Sequence, residues 1–133
     1  MSQVIKVATY LVLSSSNDWI IDSGAIYHMT FDSKNFVKFN QPKRACIENA
    51  NGVTYLIIRA GKVALSLIFS LPNTLLVPSQ SNKLLSIGQA IKELNCCALI
   101  YLNFYLFQDI VTKKIIGRGT KRGRGCTIWI TSV

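Results

Sequence analysis

A chain of 133 residues can bury on the order of two-thirds of the surface its unfolded form exposes, and is too short for a two-domain enzyme. Half of it is apolar and 16% is charged, against a usual charged share of about a quarter, which excludes a charge-rich disordered chain. The formal charge of +9 is uneven, because Lys113, Lys114, Arg118, Lys121, Arg122 and Arg124 stand together with no acid among them and leave the rest nearly neutral.

In chain order, residues 1–17 end in Ser14-Ser15-Ser16-Asn17 and read as a leader or linker. Lys6 and the apolar run after it only reach the lower limit of a secretory leader, and Thr9 and Tyr10 interrupt them. The folded domain is expected over 18–112, with 113–133 as a basic, Gly- and Arg-rich tail. No apolar stretch approaches the roughly 18 residues of a membrane span, so an intracellular protein of cytoplasm or nucleus, without a membrane partner, is expected.

Short apolar runs separated by turn residues predict an all-β barrel or sandwich. Strands are expected at 19–21, 45–48, 53–59, 62–69, 74–77, 97–102, 105–110 and 114–117. Asn51-Gly52 is the strongest hairpin turn, and Ala60-Gly61 reads as a second. Leu71-Pro72 and Val77-Pro78 are expected to interrupt pairing, since proline offers no ladder donor. Only one segment has helical spacing: Leu84, Ile87, Ile91 and Leu94 predict a short helix over 83–94. Residues 105–118 read as a further hairpin turning at 109–113.

The sharpest chemical feature is Trp19-Ile20-Ile21-Asp22-Ser23-Gly24-Ala25, an apolar strand ending in an acid, a hydroxyl and two small residues. A carboxylate behind three large apolar residues needs hydrogen bonds or a shared proton. It fits either a plain turn whose carboxylate accepts backbone donors or the acid of an aspartic protease. In the second case Ser23 would lock the loop and Gly24 permit its turn. Two carboxylates at close range cannot both ionise, so one activates water while the other protonates the scissile carbonyl. The chain has a single Asp-Ser-Gly, so such a site requires a homodimer with the pair on its two-fold axis.

The wider sequence resembles the protease region of copia-type retrotransposon Pol polyproteins over most of 18–125. The blocks that carry this are residues 19–25 with His28-Met29-Thr30, then Asn49-Ala50-Asn51-Gly52, Gly61-Lys62-Val63, Leu75-Leu76-Val77-Pro78, the Asn82 to Gln89 block, and Phe107-Gln108-Asp109 running to Ile115-Ile116-Gly117-Arg118-Gly119. The resemblance implies a retropepsin-like β-barrel that cleaves a polyprotein to release its mature enzymes. Asp22 would be the catalytic acid, Ser23 and Gly24 the rest of its loop, and the Asn51-Gly52 region a substrate-covering hairpin. The 84–89 segment would pack beneath that loop.

The family usually has smaller or polar residues where Ile26 and Tyr27 stand and a glycine where Arg59 stands. The end of the chain, from Gly123 to Trp129, also departs from the family's Gly-Leu-Tyr-like continuation. These departures weigh against retained catalysis and suggest a truncated fragment. The alternative reading is a non-catalytic β-barrel remnant or domesticated module that contacts RNA or DNA nonspecifically through Arg118, Lys121, Arg122 and Arg124 on a flexible tail; no aromatic residue interleaves with these charges to form a stacking platform. No cofactor or metal is expected, since Cys46, Cys96, Cys97 and Cys126 form no CxxC pair and His28 is the lone histidine. His28 is read as a hydrogen-bonded structural residue at the barrel rim rather than a ligand.

Overall fold

The computed structural model describes residues 19–49, 51–122 and 125–128, with side chains as far as Thr120. The leader expected at 1–17, and Arg124, lie outside the described residues.

The fold is all-β with one short helix, as expected. Twelve strands are described: β1 Trp19–Asp22, β2 His28–Thr30, β3 Phe36–Asn40, β4 Cys46–Glu48, β5 Thr54–Leu56, β6 Arg59–Ala64, β7 Ser70–Leu76, β8 Lys83–Ser86, β9 Cys96–Ile100, β10 Phe104–Asp109, β11 Ile115–Arg122 and β12 Gly125–Ile128. The helix α1, Ile87–Leu94, joins β8 to β9. Ten strands form one sheet in the order β3-β6-β7-β2-β8-β1-β12-β11-β10-β9, and β4 with β5 forms a separate hairpin. Among the described residues the ladder does not close on itself, so β3 and β9 are edges.

At the centre β1 pairs in parallel with β8 and β2 with β7. Burial on both faces accounts for the apolar run Trp19-Ile20-Ile21 of β1, whereas β2 and β8 also bury the polar His28, Thr30, Lys83 and Ser86. Trp19 and Ile21 enter one core cluster with Leu85, Phe69 and Phe107, while Ile20 enters a second with Leu84, Met29 and Leu75. The central strands thus divide two cores.

Several sequence expectations are corrected. Ala60-Gly61 is not a turn but lies within β6, which pairs with both β3 and β7. A Cβ at Gly61 would fall 2.0 Å from the Lys38 carbonyl oxygen, so this glycine serves the close approach of β3. Pro72 does not end a strand either. It sits inside β7 where the register shifts, Gly61 facing Thr74 and Val63 facing Leu71. At such a bulge the missing ladder donor costs nothing. The expected strand over 62–69 accordingly ends at Ala64.

The helix is shorter than the periodicity over 83–94 suggests, because Lys83–Ser86 is strand β8, buried at all four positions. Ser86 is the true N-cap, its hydroxyl accepting from the Gln89 N–H at 3.1 Å, and Asn95 closes the helix in the left-handed region at φ 49°. The segment read as a flexible tail supplies β11, held between β10 and β12. The turn expected at 109–113 is present: Asp109 Oδ1 accepts from the Val111 and Thr112 N–H groups, both at 2.9 Å. The Thr112 bond is the leading cause that holds the Asp109 carboxyl below its ordinary range.

Cys46, Cys96 and Cys97 are free thiols. Cys96 is fully buried in the first core, and burial, then the neighbouring Cys97 and Asp109, push its thiol up to about 11 from 9.0. A folded-state value above the unfolded one stabilises the fold below the unfolded value and loses that contribution as pH rises through the folded one. Between about pH 9 and 11, denaturant stability is therefore expected to fall more steeply in the wild type than in Cys96→Ala. Thiol labelling of the native protein should reach the exposed Cys46 before Cys96.

Candidate active site

The run of buried apolar residues in β1 ends at Ile21, and Asp22 is half-buried at the strand's last position. There it faces Ser86 in the parallel ladder. The chain then turns sharply. The Gly24 N–H donates to Asp22 Oδ1 at 2.9 Å, and the Ala25 N–H donates to the Asp22 carbonyl at 3.3 Å. Ser23 and Gly24 are exposed. Gly24 does not occupy the left-handed region, so the turn does not demand glycine for its φ. A Cβ there would lie 3.4 Å from Asp22 Oδ1, and the missing side chain keeps that flank of the carboxylate open. Among the described residues, no bond from the Ser23 hydroxyl locks the loop.

Behind the loop is a buried polar shelf. His28 is 0% exposed, deeper than a rim position. Its Nδ1 accepts from the Ser86 N–H at 3.0 Å, which leaves the ring proton on Nε2, 3.4 Å from Glu93 Oε1. At that length the pair is a loose contact, and neither atom has another partner. Gln89 ties the shelf together: its Oε1 accepts from the His28 N–H at 2.9 Å, and its Nε2 donates to the Asn73 carbonyl at 2.8 Å and to Glu93 Oε2 at 3.0 Å. Asn73 Nδ2 also donates to Glu93 Oε2, at 2.6 Å. Burial pushes the Glu93 carboxyl up, but the donors of His28, Asn73 and Gln89 outweigh this and hold it below its ordinary range.

This shelf ties β8 and α1 to β2 and β7, and the parallel pairing of β8 with β1 sets the 84–89 segment beside the acid loop. Sequence reading found His28 and Gln89 but missed Glu93 and Asn73. The Gln89 and Glu93 spacing of four residues on a helix was a legible signal; the pairing with Asn73 on β7 was not.

In front of the shelf, starting at Ala25, opens a cleft of about 790 Å³. Its walls come from Ile26 and Tyr27, from the end of β3 and the loop after it (Asn40, Gln41, Lys43, Arg44), and from α1 (Gly88, Gln89, Lys92, Glu93), with Ala60 and Leu75 also in the lining. Ile26 is 74% exposed, so its bulk points away from the core. Tyr27 packs against the second core and carries the Arg44 guanidinium 4.9 Å from its ring centroid. Arg59 points outward over the Phe39 ring at 4.8 Å.

The Asn51-Gly52 turn is present between β4 and β5. Gly52 takes φ +82°, and the Asn49 carboxamide oxygen accepts from the Asn51 and Val53 N–H groups, both at 2.9 Å. The hairpin rests on the second core through Ile47 and Tyr55, and its tip lines no part of the cleft. Of the basic residues singled out, Arg118 is exposed on β11, 5.4 Å above the Phe104 ring. Lys121 and Arg122 end β11. Among the described residues no three His, Cys, Asp or Glu side chains group as a metal site, and no helix is long and apolar enough to cross a membrane.

An all-β domain with one Asp-Ser-Gly loop close to a cleft is thus the class that fold and site define. Over residues 19–96 the chain matches the family described as Pol polyprotein, beta-barrel domain, which is more than half its length. The chain belongs to that family. No curated protein and no solved structure matches it significantly.

Proposed function

We propose that this is the aspartic endopeptidase module of a copia-type Pol polyprotein, retropepsin-like, intracellular, and active only as a homodimer on polypeptide substrates. The observation that carries the reading is the position of Asp22, half-buried at the last position of β1 and followed by an exposed turn; the acid does not itself line the cleft, whose lining begins three residues on at Ala25. Two copies meeting at this loop bring two carboxylates together. One takes a proton from water as its oxygen attacks the scissile carbonyl carbon, and the other gives its proton to the carbonyl oxygen. Collapse of the tetrahedral intermediate breaks the C–N bond as the amine takes up a proton. Ser23 and Gly24 complete the loop, and the β4–β5 hairpin with Asn51 and Gly52 is the element available to cover a bound peptide.

A peptide library incubated with the protein at mildly acidic pH is expected to be cleaved, and Asp22→Asn to reduce the rate by about 10²–10⁴-fold or more. Cleavage that survives the substitution, or none by a protein that sediments as a dimer, refutes the reading.

One observation favours a second reading, a non-catalytic module contacting RNA or DNA. Tyr101 and Phe104 stack with centroids 4.6 Å apart, and Arg118 lies over Phe104. This is a cation beside stacked aromatic rings, the combination that holds single-stranded bases. On that reading Tyr101→Ala weakens oligonucleotide binding and Asp22→Asn leaves it unchanged.

A further inference from the structure

The cleft has a charge imbalance that no ion pair among the described residues offsets. Lys43, Arg44 and Lys92 stand exposed around it, and among the described residues none of them has an ion-pair partner. Glu93, the acid of the lining, is already engaged by the Asn73 and Gln89 amides. Three cations therefore surround a cavity whose lining includes Leu75 and the partly buried Tyr27. Cations gathered at a concave, partly apolar surface raise the local concentration of anions and strengthen their binding.

We propose that this cleft docks an extended peptide segment in which acidic side chains alternate with apolar ones. Charge complementarity selects the acids, and the apolar lining takes the residues between them. A volume of about 790 Å³ falls within the range of binding clefts. A nucleic acid fits this cleft less well: Tyr27 is the one aromatic residue of its lining and is partly buried against the second core, so the cleft lacks the series of rings on which successive bases stack. The inference deepens the endopeptidase reading by naming a feature of its substrate, and depends on that reading only for the cleavage step that comes after docking.

The test is fluorescence anisotropy with the full chain and labelled peptides of about eight residues, long enough in extended form to cross such a cleft. One alternates Glu with Leu, and its partner has Gln for every Glu. The Glu peptide is expected to bind about tenfold more tightly at low salt, with the gap narrowing as salt screens the exposed charges. Lys43→Gln, Arg44→Gln and Lys92→Gln combined should abolish that preference, and Asp22→Asn should preserve it. Equal binding of the two peptides overturns the proposal. So does a preference that survives the triple substitution, or a single-stranded oligonucleotide that displaces the Glu peptide from the wild type. Tight, charge-dependent binding without cleavage upholds the docking site and counts against the endopeptidase reading; cleavage with no preference for the Glu peptide does the reverse.

Discussion

Gly117→Ala is expected to destabilise the fold by about 3 kcal/mol, at the upper end of overpacking effects, read as a lowered midpoint in urea. A Cβ at this position would fall 2.3 and 2.4 Å from two atoms of the Phe69 ring. That ring has nowhere to go: Phe69 is fully buried and packs against Phe107 with centroids 5.3 Å apart. Either β11 moves away from the loop after β6 or the two rings repack, and both disturb the larger core. The mechanism is specific enough for a double-mutant cycle. In a Phe69→Leu background the added methyl meets space rather than ring carbons, so the alanine should then cost less than about 1 kcal/mol, and the pair should be strongly non-additive. Full additivity would show that the Gly117 backbone, not the Phe69 ring, sets the cost.

Gly61→Ala should be comparably damaging but in a different place. Its Cβ would meet main chain, 2.0 Å from the Lys38 carbonyl oxygen and 2.9 Å from the Phe39 Cα, so no rotamer change relieves it. Because β3 is an edge strand, the least costly response is for β3 to leave the sheet, taking with it the Phe36 contact with the first core. We expect a loss of about 2–3 kcal/mol, with amide exchange accelerated over 36–40 well before the central strands. Gly52→Ala is the comparison: φ is +82° there but only the Glu48 carboxylate is near, at 3.9 Å, so the cost should be confined to the backbone term of about 1 kcal/mol. If exchange at β1 and β8 accelerated equally with β3, the clash would have to be transmitted through the whole sheet.

These glycines mark where sequence reading succeeded and where it stopped. Gly52 was legible because a tight turn is a local event, and Asn-Gly has its own backbone preference. Gly61 was misread as a turn because the requirement it meets comes from β3, more than twenty positions away. Pro72 was misread for the same reason: a proline forbids a ladder bond at its own nitrogen, but whether a partner expects one there depends on the register shift between β6 and β7. The extra length given to the helix arose from Leu84, whose spacing fits a helix although it is a β8 residue facing the second core. Short apolar segments buried on both faces carry no period to tell strand from helix.

The candidate site divides in the same manner. The Asp22-Ser23-Gly24 loop announces itself locally, as an acid placed directly after a buried apolar strand. The buried shelf of His28, Asn73, Gln89 and Glu93 draws on β2, β7 and α1, and only His28 and Gln89 stood out. The basic segment carried no aromatic residue of its own, yet pairing of β10 with β11 sets Arg118 over Phe104, on which Tyr101 stacks.

By itself the sequence determined that the chain is all-β with one short helix, where its acid loop and its Asn-Gly turn lie, and that it is a region of a Pol polyprotein. These come from composition, from alternation over a few residues and from short blocks in fixed order, all of which are properties of neighbours along the chain. Only the tertiary structure decided the strand order, the two cores on either side of β1 and β8, the buried histidine and the cationic cleft. Each of these is a contact between residues remote in sequence, made when parallel central strands cover both faces and bring loops from β3, β1 and α1 to one end.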